Sequence, residues 1–276
     1  MSEQLRIAVL GAGYLGSALA RAAADAEHAV WAVRRSPNVG ADDGVTWIKE
    51  DIAHVPLKSL PSTLDVIVLT IAPSLGGSYV GTYPPAARAA VDLAERTAAR
   101  ALLYTSSTGV YGARGGVWVT ERSDRAGEGE TNAALIAAED IILAGAVVAP
   151  TVLRVAGIYG PDRDPRARLG ASDQLAQRGE YWVNLAHRDD IVSAILHVST
   201  LPSAPRVLNV SDGSPTRARE VARWLASASG DNPDALAFCN DAQRSRNDQR
   251  VSNAALTATG WAPRYKDFAA GFSYGL

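Results

Sequence analysis

Apolar positions along this chain fall into short unbroken runs. Each run ends in a polar or glycine-rich turn, and most are followed by an alanine-rich stretch. Ile7 to Leu10 is the first run; Gly11 to Gly16 and the stretch Ser17 to Ala26 follow, and Ala29 to Val33 is the next run. Val45 to Lys49, Asp65 to Thr70, Ala101 to Tyr104, Val147 to Val155 and Val207 to Ser211 repeat the pattern. Runs that are apolar throughout, rather than at every second position, belong to strands covered on both faces, as in parallel sheets. Helical spacing appears at Ala86 to Ala99, at Asn132 to Leu143 and at Thr216 to Ser229, where Val221, Trp224 and Leu225 share one side. Pro37 to Gly44, Leu75 to Pro85 and Arg114 to Thr131 read as loops, and Ala156 to Pro161 as a turn. Asn240 to Asn253 is strongly polar. Asp189 or Asp190 is the expected N-cap of a helix that opens near Ile191.

Strand followed by helix, repeated, predicts an α/β protein with a doubly wound parallel sheet. Its first unit carries Gly11-Ala12-Gly13-Tyr14-Leu15-Gly16 between a strand and a helix, with a second strand at the right distance. In that arrangement the first glycine permits a tight turn, the second lets backbone approach a pyrophosphate, and the third lets the helix pack against the strand. The helix N-terminus then presents N–H groups and the positive end of its dipole to the phosphates. Gly11, Gly13, Tyr14, Leu15 and Gly16 are the expected cofactor-binding turn.

The end of the second strand selects the dinucleotide. An acid there would bind the ribose hydroxyls of NAD, but the chain has Arg34-Arg35-Ser36. Two guanidinium groups and a hydroxyl suit a 2′-phosphate, which favours NADP(H) over NAD(H). After the third strand, Asp51 is placed to accept a bond from the adenine amino group, with Ile52 against the ring. A turn or helix N-cap explains the same pair equally well. Thr70 and Ala72 end the fourth run, at the carboxyl edge where ligands bind in open α/β sheets.

Composition narrows the partners. The 276 residues carry a formal net charge of −2 and no run of lysine and arginine, which gives no support to nucleic acid or a membrane surface as a partner. No apolar stretch spans a bilayer, and the N-terminus lacks the layout of a signal peptide. Cys239 is the single cysteine. It excludes an internal disulfide or a cysteine-based zinc site and fits a reducing, cytoplasmic setting. The expected partner is a small-molecule substrate. Arg163, Arg166, Arg168, Arg244, Arg246 and Arg250 are candidates to clamp an anionic group on it, and equally suit a solvated surface.

Six blocks in order resemble the extended short-chain dehydrogenase/reductases, the NAD(P)-dependent epimerase and dehydratase family. They are GAGYLG at 11–16, SSTGVYG at 106–112, LRVAGIYGP at 153–161, NLAHRDDI at 184–191, LNVSDG at 208–213 and a tail from Arg250 through Gly260-Trp261 to Gly271. The resemblance implies a Rossmann-type core at 1–160, to which 182–212 returns, and a small substrate-binding region from 161–181 and 213–276. It implies hydride chemistry at a carbonyl or alcohol carbon, with Ser107 polarising the reacting oxygen. Strand-end residues Ser106, Gly157, Ile158 and His187 join the cofactor set. Dimers are common in the family, so a homodimer is compatible with the chain.

One departure stands out. The family's main catalytic pair is a tyrosine and, four residues later, a lysine that keeps the phenolate accessible near neutral pH. Counting back from Glu139, Thr131 stands at the tyrosine position and Leu135 at the lysine position; the alternative register gives Asn132 and Ile136. Neither register supplies a phenol or an ammonium. The candidate catalytic positions are therefore Ser107, Thr131, Tyr111 and Tyr159, with Tyr181 and His187 as further proton donors. A protein of this kind that retained NADP but lost hydride chemistry would serve as a sensor or a partner-binding subunit.

Overall fold

The computed structural model describes residues 3–36, 43–53, 57–74, 76–113, 115–145, 149–163, 179–238 and 248–273. Cys239, Arg166, Arg168, Arg244 and Arg246 lie outside the described residues.

The central element is a seven-stranded parallel sheet with helices packed against it. Its strands are β1 (Arg6–Leu10), β2 (Ala29–Arg34), β3 (Val45–Lys49), β4 (Val66–Leu69), β5 (Ala101–Ser107), β7 (Pro150–Val155) and β11 (Val207–Val210), in the order β11-β7-β5-β4-β1-β2-β3. The order reverses between β1 and β4, which pair directly. The crevice outside the carboxyl ends of those two strands is the ligand position of such sheets. Burial explains the sequence pattern. The four residues of β4 and Ile7 to Leu10 of β1 are all buried, whereas β3, at the edge, has no buried residue. Helix α1 (Tyr14–Asp25) buries Leu15, Leu19 and Ala23, one residue per turn, together with Gly16 and Ala20. Helices α2 (Tyr83–Thr97) and α3 (Glu130–Ala144) pack on each other and on β5.

By packing, the chain divides into two compact units. The first is 1–107, 129–154 and 192–208; the second is 108–128, 155–191 and 209–276. This partition differs from the division at residue 160 over 108–128, 155–160, 182–191 and 209–212, which it assigns to the second unit.

The second unit contains three small ladders. Strand β8 (Gly157–Tyr159) runs parallel to β10 (Leu185–His187), β9 (Trp182–Val183) antiparallel to β12 (Thr216–Arg217), and β6 (Val117–Val119) parallel to β13 (Gln249–Val251). Helices α4 (Arg188–Thr200, shared between the units), α5 (Ala218–Ala228), α6 (Ala254–Thr257) and α7 (Phe268–Ser273) complete the chain. Val221 and Leu225 of α5 are buried against Tyr159, Leu185 and Phe272, with Trp224 packed on the same cluster.

Several local expectations are corrected. Arg114 to Thr131 contains β6, and α3 already begins at Glu130. Ala156 to Pro161 contains β8, and Thr216 and Arg217 form a strand ahead of α5. Helix α4 begins at Arg188, so Asp189 and Asp190 sit inside its first turn rather than at the cap. No helix among the described residues is long and apolar enough to cross a membrane.

Candidate functional site

The turn between β1 and α1 is shaped as its glycines require. Gly11 has φ +97°, and a Cβ there would stand 2.9 Å from the Ile71 backbone. At Gly16 a Cβ would lie 2.5 Å from both the Gly11 carbonyl oxygen and Thr70 Oγ1, so only glycine lets α1 approach this closely. Gly13 differs. It is exposed, is the N-cap of α1, and has open space where its Cβ would be. No side chain caps that helix end and no acidic residue occupies its first turn. An exposed cradle free of side chains at a helix N-terminus fits a pyrophosphate.

Two contacts fix this cradle within the first unit. Gly11 and Ala12 both donate their N–H to the Val33 carbonyl, at 3.0 and 2.8 Å. Thr70 donates its hydroxyl to the Gly11 carbonyl at 2.9 Å, tying the end of β4 to the turn at the switch point. Thr70 thus serves as a strut for the turn. Gly16→Ala is expected to destabilise the protein by about 1–3 kcal/mol through overpacking, and Thr70→Val by about 1 kcal/mol through the lost bond. Urea unfolding measures both; an unchanged midpoint for Gly16→Ala would contradict the close approach.

The bond from Gly11 and Ala12 to Val33 sets the turn beside the residues that follow. Arg34 is half-buried and pairs in register with Lys49; Arg35 and Ser36 are exposed. Among the described residues, neither Arg34 nor Arg35 is engaged in an ion pair. Asp51 Oδ1 accepts the Ala53 N–H at 3.1 Å, a turn-forming bond, and Ile52 is buried. Ile52 lines a cleft of about 560 Å³ with Leu57, Pro85, Ala89 and Leu93. Ala72 is exposed past the end of β4, and Leu15 is buried in the first turn of α1 next to half-buried Tyr14.

The hydroxyl cluster at the end of β5 separates by strand alternation. Ser106 is buried and donates to Glu139 Oε1 at 2.6 Å, which commits its hydroxyl to the interior rather than to a cofactor. Glu139 is fully buried and is held from Arg154 by Nη2 to Oε2 at 2.8 Å and by Nε to Oε1 at 3.1 Å. Sequence reasoning used Glu139 only as a counting landmark and missed this network. The signal available was a glutamate and an arginine in otherwise apolar elements. Ser107, at the last position of β5, is half-buried, as is Thr131 in the first turn of α3. Leu135 is buried, so an apolar side chain fills the lysine position.

The phenols of the second unit are core residues, which corrects the expectation that Tyr111 or Tyr159 donates a proton. Tyr111 is 1% exposed and donates to Asn209 Oδ1 at 2.5 Å. Tyr159 is 2% exposed, edge-on to Phe272 at 4.6 Å, and burial pushes its phenol well above the ordinary value. A raised phenol is harder to ionise, the opposite of what proton abstraction needs. His187 is buried too. Its Nδ1 accepts the Asp189 N–H at 3.2 Å, which places the proton of the neutral ring on Nε2 and orders the start of α4. Burial lowers its imidazole below the usual value, so the 3.9 Å approach to the Asp189 carboxylate is not an ion pair near neutral pH. Gly157 is exposed and Ile158 half-buried on β8, and the Gly157 N–H donates to the Asn184 carbonyl at 2.9 Å.

Comparison with known proteins now decides the family. The chain matches the profile of the NAD dependent epimerase/dehydratase family over residues 7–211. It belongs to that family. Among curated relatives, Protein YeeZ of Escherichia coli (strain K12) is 32% identical over 148 residues, 53% of this chain and 52% of YeeZ. The match thus spans about half the length of this relative. A structure from Methylobacillus flagellatus, provisionally described as an NAD-dependent epimerase/dehydratase, superposes with TM-score 0.78 at 26% identity, covering 99% of this chain and 98% of that one. The Bordetella bronchiseptica enzyme WbmG, solved with NAD and UDP, superposes with TM-score 0.78 at 18% identity, covering 99% and 93%, a likeness of fold. Family membership supports an enzyme built on an NAD-binding Rossmann fold.

Proposed function

We propose that the chain is an NADP(H)-dependent enzyme acting on a carbonyl or alcohol carbon of a small, sugar-like substrate, in oxidoreductase or epimerase/dehydratase chemistry. The basic end of β2 carries this reading. Arg34 and Arg35 follow the residue whose carbonyl anchors the glycine turn, with Lys49 opposite Arg34 in register. In this reading the Gly11–Gly16 turn holds the pyrophosphate, Arg34, Arg35 and Ser36 hold the 2′-phosphate, and Asp51 and Ile52 flank the adenine. The bound nicotinamide supplies or accepts the hydride. Ser107 polarises the reacting oxygen from the end of β5. WbmG, of the same fold, was solved with UDP, which favours a nucleotide-linked sugar as substrate.

A second reading is favoured by buried Leu135 at the lysine position and by the burial of Tyr111 and Tyr159. In it the chain retains the dinucleotide without hydride chemistry, as a sensor or partner-binding subunit. Calorimetry with NADPH and NADH, followed by turnover assays on UDP-sugars and simple carbonyl compounds, separates the two. Binding with turnover supports the enzyme. Binding without turnover across the panel supports the sensor. Absence of heat with both dinucleotides refutes both readings.

A further inference from the structure

The second unit holds a set of acidic side chains that dinucleotide binding does not use, gathered under the C-terminal segment 264–273. Asp212 is 7% exposed; its N–H donates to the Leu185 carbonyl at 2.9 Å and its Oδ1 accepts the Ser214 N–H at 2.9 Å. Its Oδ2 is buried with no hydrogen-bond partner among the described residues. Around it the segment is fastened at three places. Asp190 accepts the N–H groups of Arg264 and Tyr265 at 2.8 and 3.1 Å. Ser214, bonded to Asp212, donates its hydroxyl to the Lys266 carbonyl at 2.7 Å. Asp267 Oδ1 accepts the Ala270 N–H at 2.8 Å at the start of α7. Aromatic contacts complete the seat: Tyr265 lies 4.1 Å from His187, Phe272 lies 5.4 Å from Trp224, and the Gly271 backbone leaves no room for a Cβ beside the Tyr159 hydroxyl.

We propose that segment 264–273 is a pH-sensitive strap whose trigger is Asp212, seated when Asp212 is protonated and loosened when it ionises against Asp190 and Asp267. Burial, and after it the neighbouring carboxylates of Asp267 and Asp190, push the Asp212 carboxyl up to about 7, against the Ser214 N–H bond that lowers it. The other groups facing this cluster do not neutralise it. Tyr159 and Tyr265 are phenols, His187 is neutral, Arg188 is bonded to Asp189, and Arg264 and Lys266 are exposed. The sign follows from linkage. Seated, Asp212 keeps its proton to about pH 7, whereas solvated aspartate loses it near pH 4. Opening therefore releases a proton between those values and becomes easier as pH rises, levelling off above about 7. Tyr159 ends β8, two residues after Gly157, so the strap bears directly on that strand.

Hydrogen exchange of the full chain, followed by mass spectrometry of peptides covering 264–273 from pH 5 to 9 and corrected for intrinsic exchange, tests this. Protection is expected to fall about tenfold per pH unit up to about pH 7 and then stay constant. Asp212→Asn should abolish the slope. Asp267→Asn, which keeps a capping side chain but removes a charge, should bring the plateau to lower pH, and it decides the matter if Asp212→Asn does not fold. A flat wild-type profile below pH 7, a slope retained in Asp212→Asn, or a plateau unmoved in Asp267→Asn overturns the proposal.

Discussion

Replacing Arg34 and Arg35 together by alanine is expected to weaken NADPH binding by about two orders of magnitude and to leave NADH nearly unchanged. The 2′-phosphate is the group that distinguishes the two dinucleotides, and only a cation near the ribose can respond to it. Charge-assisted bonds contribute roughly 1.5–3 kcal/mol each. Arg35 is exposed and Arg34 half-buried, so the lower end applies to each. Two such bonds give about 3 kcal/mol, which is on the order of a hundredfold in affinity. The glycine turn is untouched by the substitution, since it is anchored on the Val33 backbone, so binding of the pyrophosphate common to both dinucleotides should persist. Calorimetric titration with each dinucleotide, at one fixed ionic strength, measures the ratio. Equal losses for NADPH and NADH would show that the arginines are a basic corner with no part in cofactor choice.

The parts of this molecule legible in its sequence are those specified locally. Strands β1, β4 and β5 announce themselves because burial on both faces leaves no polar position to interrupt them. The glycine turn is legible because each glycine answers a separate steric demand, and the structure shows two of them, at Gly11 and Gly16, as close approaches of backbone. What escaped depends on partners far along the chain. β6 is three residues long and pairs with β13 some 130 residues later, too short for any periodicity to show. Asp190 reads as a helix cap, yet its carboxylate is taken by the backbone of Arg264 and Tyr265. Tyr111 and Tyr159 precede glycines at strand ends, which reads as an exposed edge. Their burial is set by Asn209 for the first and by α5 and α7 for the second. A tyrosine's neighbours in sequence do not disclose whether its phenol faces solvent or core, and the candidate catalytic set suffered accordingly.

The largest loss of stability is expected from Glu139→Ala. Glu139, Arg154 and Ser106 are all buried, and the carboxylate receives both the guanidinium and the hydroxyl. Removing the carboxylate leaves Arg154, 3% exposed, as an uncompensated charge in the core, and breaking a buried pair in this way costs about 3–5 kcal/mol. The single change Arg154→Met should cost a similar amount, because Glu139 is then the stranded partner. The double substitution Glu139→Leu with Arg154→Met should cost distinctly less than the sum of the singles, since two apolar side chains of comparable volume leave no buried charge behind. Urea unfolding of the four proteins at one pH closes the cycle. Additive losses would mean that the two side chains act independently and that the network contributes no coupling. The same cycle bears on the site. Ser106 precedes Ser107 on β5, and Glu139 stands two turns along α3 from Thr131. The network therefore joins the strand and the helix that carry both candidate positions of the first unit. If it sets their spacing, the double variant should fold and bind NADPH yet turn over any identified substrate more slowly, with a fall in kcat rather than a rise in KM.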